Sequence, residues 1–252
     1  MFDVTFEILA LLVAAAFAAG FVDAIAGGGG LITVPMLLLA GADPVTALAT
    51  NKLQGLFGAG SAAISYSRVG HVSLKRQITP ALIAFAAAIA GALLTSKLPT
   101  DLIRLGLPVL LIGIAIFFAF KPGLTDIDRK RRIMPAVFAL TLVPVMGFYD
   151  GLVGPGAGAF YMLGFVALAG FGVLKATAHT KLLNFASNLG GMMAFAMVAT
   201  PWWLTGLCMG AAQVAGAALG SRLAIRVGAK VIKPVLVFTS TALALGLIWQ
   251  MV

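Results

Sequence analysis

Charge is scarce in this sequence. Of 252 residues only 10% are Asp, Glu, Lys or Arg, against roughly a quarter in a soluble domain. Acidic residues are scarcest, 8 against 17 basic ones, for a formal net charge of +9. The single cysteine, Cys208, excludes an internal disulfide and a Cys-based metal cluster. No glycine run ends in Lys-Ser or Lys-Thr, so there is no phosphate loop for ATP. The alternating ten-residue segments of a membrane β-barrel are also missing. Ahead of the first apolar run stand Asp3 and Glu7, not the basic start of a signal peptide. That run is therefore read as the first membrane segment. What is abundant is apolar: 61% hydrophobic residues and a mean hydropathy of +1.08. Apolar runs recur along the whole length, which describes an all-α polytopic membrane protein. The basic residues sit mostly in short loops between these runs. They point to membrane topology and not to nucleic acid.

One stretch occurs twice. Gly20-Phe21-Val22-Asp23 returns as Gly147-Phe148-Tyr149-Asp150, and Lys52-Leu53 returns as Lys181-Leu182. Each copy runs from an apolar segment ending in Asp, through a Gly-rich break and a short apolar piece, to a helix bearing Lys. The repeats are placed at 1–125 and 126–252, within a single membrane domain. Each comprises a Gly-broken helical hairpin and three spanning helices, giving about eight to ten membrane segments in all.

In the first copy, residues 4–26 can cross about 30 Å of hydrocarbon, whereas 31–40 are too short to do so as helix. Asp43-Pro44 is a helix start, with Asp as N-cap and Pro in the first turn. That helix runs to about 66, and spans at 78–96 and 102–120 follow. The second half repeats the order with segments at 134–153, 159–169, 174–199, 204–221 and 234–252; Pro144 predicts a kink. Placing the loops at 68–76, 121–132 and 222–233 in the cytoplasm collects twelve of the 17 basic residues there. Both termini then lie outside, and the two halves are inverted relative to each other. A count of four full spans per half would give parallel repeats and put 222–233 outside.

Broken backbone at membrane depth is tolerated only where protein buries it or water reaches it. Gly27, Gly28, Gly29 and Gly30, and the second break with Gly156 and Gly158, are thus candidate binding backbone. Their amides and the following helix N-termini favour an anion; close helix packing is the plainer reading. Lys52 and Lys181 lie inside apolar helices, where a charge costs about 2.5–3.5 kcal/mol. Snorkelling to an interface is their alternative. Asn51 and Gln54 in one copy, Thr180 and Asn184 in the other, lie beside these lysines; polar stripes of this kind also serve as hydrogen-bonding glue. These residues form the predicted substrate site. Asp23 and Asp150 are placed to pair with the lysines, cap backbone or carry a coupling proton. His179 is a further coupling or gating candidate. No metal site and no cofactor is indicated.

These same residues resemble the TauE/SafE family of membrane transporters. The resemblance rests on 20–35 and 49–55, and more weakly on 147–151 and 179–185, and extends over essentially the whole chain. It implies a two-repeat inner-membrane carrier that exports sulfite, sulfonates or related organosulfur anions. The expected function is a secondary transporter working by alternating access, with a small anion, the bilayer and a coupling proton or sodium ion as partners. A homodimer is left open. The alternatives are a passive anion channel and an intramembrane enzyme, the latter lacking a paired nucleophile or a Gly-x-Gly-Asp motif.

Overall fold

Local chemistry sets the first helix boundaries. In this computed structural model, which describes residues 3–73, 75–99, 101, 109, 126–232 and 234–235, the Thr5 hydroxyl caps α1, Phe6–Ala26. The α1 helix stops at Gly27, whose φ of 81° favours glycine. The short α2, Gly30–Leu39, follows at once. Asp43 Oδ1 then accepts the N–H groups of Val45 and Thr46, both at 3.1 Å, and opens α3, Pro44–Arg68. A 3-10 turn, Lys75–Gln77, leads into α4, Ile78–Thr95.

The second half repeats this order. The α5 helix, Pro135–Leu152, continues through Pro144 without ending. Gly154, with φ 94°, sits in the second break. The α6 helix, Ala157–Gly164, runs into a π-helical turn, Phe165–Ala169. The α7 helix, Val173–Val198, carries the second lysine, and α8, Trp203–Val227, follows. No strand occurs among the described residues. The spans expected at 102–120 and 234–252, apart from 109 and 234–235, lie outside them, as does the part of the joint at 121–125 that runs up to the proposed domain boundary.

Four of these segments are long and apolar enough to cross a membrane: Phe6–Ala26, Lys75–Thr95, Pro135–Leu152 and Trp203–Val227. The α3 and α7 helices have the length, 25 and 26 residues, but bury lysine, asparagine and threonine. They form the middle of the bundle. The α1 helix packs on α8, α4 on α5, α3 on both α7 and α8, and α4 on α7. Exchanging the halves (α1 with α5, α3 with α7, α4 with α8) leaves this set of pairs unchanged.

Glycine lets the outer pairs approach. A Cβ on Gly216 would lie 2.1 Å from the Phe17 carbonyl oxygen in the α1–α8 contact. A Cβ on Gly151 would lie 2.0 Å from the Ala88 carbonyl oxygen in the α4–α5 contact. Such close backbone approach stabilises helix pairs that lack a hydrophobic driving force in lipid.

One expectation changes. Arg222 and Arg226 belong to the last turns of α8, not to a loop; basic residues suit a helix C-terminus. Asp126 and Asp128 are exposed yet bonded. Asp126 accepts the N–H of Leu174 at 3.0 Å and of Ala229 at 2.6 Å. Asp128 accepts the N–H of Gly172 at 2.7 Å and meets Lys175 Nζ at 2.6 Å. The Gly172 amide, and then Lys175, hold the Asp128 carboxyl below its usual range. A depressed carboxylate pKa stabilises above the unfolded value and ceases to do so as pH falls through the folded one.

Gly216→Leu and Gly151→Leu should each cost about 3 kcal/mol or more, since the clash is with backbone. Unfolding in detergent measures this. Acidification below about pH 4 should release the Asp128 clamp, read as faster proteolysis within 126–133; Asp128→Asn should show that rate already at neutral pH.

Candidate functional site

The two breaks meet. A Cβ on Gly27 would lie 2.5 Å from the Ala159 nitrogen, and one on Gly30 would lie 3.2 Å from Pro155 Cα. The first turn of each short helix therefore abuts the other half's break. A cavity of about 30 Å³ lies between them, lined by Gly28, Gly29, Gly30, Gly154, Gly156 and Gly158, with Asn51, Asn184, Asn188, Gln213, Gly55 and both aspartates. It holds about two waters at most, so the site is closed around its centre.

The lysines do not snorkel. Both side chains are fully buried, and each pairs with the aspartate of the other half. Lys52 Nζ donates to Asp150 Oδ1, and Ser187 Oγ donates to Asp150 Oδ2. Lys181 Nζ lies 3.0 Å from Asp23 Oδ2 and also donates to the Asp23 carbonyl oxygen. Asp23 Oδ1 accepts the Gly29 N–H at 3.1 Å. The pairs are not equal: Asp150 is 2% exposed and Asp23 15%. Two lysines and two aspartates thus carry equal and opposite formal charges.

What remains unmatched is donor capacity. Among the described residues, the N–H groups of Gly28, Gly30, Gly156 and Gly158 meet no acceptor, and all four glycines line the cavity. These are the orphan amides of a helix end. Asn51 adds to them. Its Oδ1 accepts Thr33 Oγ1 at 2.7 Å and Gln54 Nε2 at 2.9 Å, which leaves Nδ2–H₂ beside Gly30. Gln54 Oε1 accepts Gln213 Nε2 at 2.5 Å, tying α8 to the network. Asn184 Nδ2 lies beside Gly158. Unmatched N–H donors at two helix N-termini are groups that suit negative charge, and here they share the cavity lining with Asp23 and Asp150.

Most predicted residues converge here. Gly28, Gly29, Gly30, Asn51, Gly156, Gly158, Asn184, Asp23 and Asp150 line the cavity. Lys52 and Lys181 stand directly behind it through their aspartates. Gln54 braces Asn51 from behind, and Gly27 is packed against Ala159. Thr180 is buried, its hydroxyl without a partner among the described residues, but does not line the cavity. His179 lies apart. Two residues before Lys181 it faces roughly the opposite side of α7, with Nδ1 2.9 Å from the Lys175 carbonyl oxygen and its ring against Phe165 and Phe171. Gln213 was missed, although a lone amide in an apolar helix is a signal. Gly154, Asn188, Gly55 and Thr33 also belong here and are not among the predicted site residues, although Gly55 and Thr33 lie within the stretches 49–55 and 20–35 that carry the resemblance.

Removing one member of a buried pair costs about 3–5 kcal/mol. Asp150→Ala and Lys52→Ala should each reach that range in detergent unfolding. The double variant should lose less than the sum, by at least about 1 kcal/mol. Additive costs would deny the pairing.

Comparison with known proteins gives the family. Residues 12–247 match the family described as Sulfite exporter TauE/SafE. The chain is 56% identical over 248 residues to the probable membrane transporter protein ORF9 of Sinorhizobium sp, covering 98% of this chain and 95% of that one. It is 44% identical over 250 residues to the probable membrane transporter protein YfcA of Escherichia coli strain K12, covering 99% and 93%. A probable membrane transporter protein of Haemophilus influenzae is 38% identical over 248 residues, covering 98% and 97%. No solved structure matches. The chain is a multi-pass membrane transporter and belongs to the TauE/SafE family.

Proposed function

We propose that this chain is a secondary transporter that exports a small oxyanion, sulfite or an organosulfonate, through the cavity between its two helix breaks. The observation that carries this reading is the ring of four unmatched backbone amides at two facing helix N-termini. Sulfite and sulfonate oxygens accept several hydrogen bonds at once, which such a ring supplies. The family description names sulfite export; the relatives' names specify no substrate.

The halves act as inverted repeats rocking about the shared site. Supporting this are the exchanged Lys–Asp partners and a packing pattern unchanged by swapping the halves. The concentration of basic residues in three loops supports an inner-membrane orientation with both termini outside. An interior-negative potential drives an unaccompanied anion outward by about 2.3 kcal/mol per charge per 100 mV.

The paired charges also give the aspartates a role. An arriving anion competes with Asp23 for Lys181, because that carboxylate is the more exposed of the two. A proton on Asp23 would free the ammonium for substrate. His179, away from the cavity, plays no part in this step.

Proteoliposomes loaded with sulfite or sulfoacetate should show exchange stimulated by substrate on the opposite side; a passive channel shows none. Lys181→Ala should lower exchange by at least about tenfold, a loss of 1.4 kcal/mol, with protein recovery checked by size-exclusion chromatography. Asp23→Asn should tighten apparent affinity, because it removes the competing charge. Normal exchange by both Lys52→Ala and Lys181→Ala would remove this reading. A thermal-shift screen with sulfite, sulfoacetate, taurine, thiosulfate and lactate should single out one anion through ligand linkage.

A further inference from the structure

A second cavity lies on the outside of the bundle, where α3 packs on α8. Its volume is about 480 Å³, within the ~300–1,000 Å³ of ligand pockets. Its walls are apolar, with Phe57, Ile64, Phe185 and Val214 among them, and it includes Arg68 and Arg222. Phe57, Ile64 and Val214 are 37%, 50% and 40% exposed, so the groove opens outward.

The register of the two helices fixes where the arginines stand. Thr46 Oγ1 donates to the Thr200 carbonyl at 3.3 Å, the Trp202 N–H to Thr50 Oγ1 at 3.0 Å, and Ser61 Oγ to the Val214 carbonyl at 3.2 Å. These partners are 154, 152 and 153 residues apart. The helices are therefore parallel in constant register. Arg68 and Arg222, 154 apart, end at one level. From Phe57 to Arg68 the helix rises about 17 Å at 1.5 Å per residue, a little over half of about 30 Å of hydrocarbon. The groove is one leaflet deep, mostly apolar along its length, with Ser61 and Ser65 among its lining, and doubly cationic at its end.

Two guanidinium groups side by side repel unless an anion lies between them. Neither meets an acidic side chain among the described residues. Arginine suits phosphate oxygens through its fixed fork of donors, and basic pockets between membrane helices suit anionic head groups. In the second half Met197 stands where Arg68 stands in the first, so the feature belongs to one leaflet only.

We propose that this groove binds an anionic glycerophospholipid, its phosphate between Arg68 and Arg222 and one acyl chain along Phe57, Ile64 and Val214. The lipid would brace α3 against α8, the helices that carry Lys52 and Gln213, from the leaflet in which the arginines lie. This site is independent of the substrate cavity and of what that cavity carries.

The test uses the full chain, stripped of lipid in a neutral detergent. It is mixed with phosphatidylglycerol, with phosphatidylcholine of the same chains, or with inorganic phosphate. Native mass spectrometry and thermal shift are read together. Phosphatidylglycerol should stay bound and raise Tm, and the other two should not. Arg68→Ala with Arg222→Ala should weaken that binding about thirtyfold, on the scale of two basic residues at an anionic membrane surface. The lipid-free Tm of the double variant should match the original. Equal binding of phosphatidylcholine, an equal shift by phosphate alone, or unchanged phosphatidylglycerol binding by the double variant would each overturn the proposal. So would an Ile64→Cys variant that crosslinks to a second copy, which would make the groove a dimer interface.

Discussion

Backbone that leaves the helix within a membrane protein must have its polar groups answered by something other than lipid. The rest of this structure follows from that constraint. Two helices break, at 27–29 and 153–156, and the breaks pack against each other while Asp23 and Tyr149 answer part of their backbone from within the same half. Each lysine helix then supplies an ammonium to the aspartate at the opposite break. A single repeat could not do this, since its own lysine and aspartate are not the pair that meet. The fold's two halves are held together by charges neither could bury alone.

The pairing also reshapes the chemistry of the site. In the proposed mechanism the unmatched amides and positive helix ends meet the anion first, and Lys181 joins only where the anion displaces Asp23. Release would then need only the return of Asp23 to Lys181. The tightly enclosed Asp150 and the more open Asp23 make the two pairs unequal despite the repeated sequence of the halves.

Much of this was legible beforehand, and for identifiable reasons. Asp43-Pro44 is a local signal, and α3 begins where it says. The glycine runs cannot propagate helix, and both breaks fall there. Lysine in an apolar helix at matched repeat positions is too costly to be incidental, and both lysines are buried. What could not be read is what depends on chain crossing. The exchange of partners between halves needs the spatial arrangement of α1, α3, α5 and α7. Gln213 reaches the site only because α8 packs in register on α3. Asp126 caps Leu174 and Ala229 across long separations, and in sequence it is merely an acid in a polar loop. His179 stands apart from the cavity because nearness in sequence to Lys181 is not nearness on a helix face.

The most direct measurement is the position of a bound anion. Selenite is a heavier oxyanion of sulfite's shape, and its anomalous signal locates it in crystals of the protein. The account predicts a peak within hydrogen-bonding distance of the Gly30 and Gly158 nitrogens, between Asn51 and Asn184. A peak elsewhere in the bundle, with that space empty at saturating selenite, would contradict it.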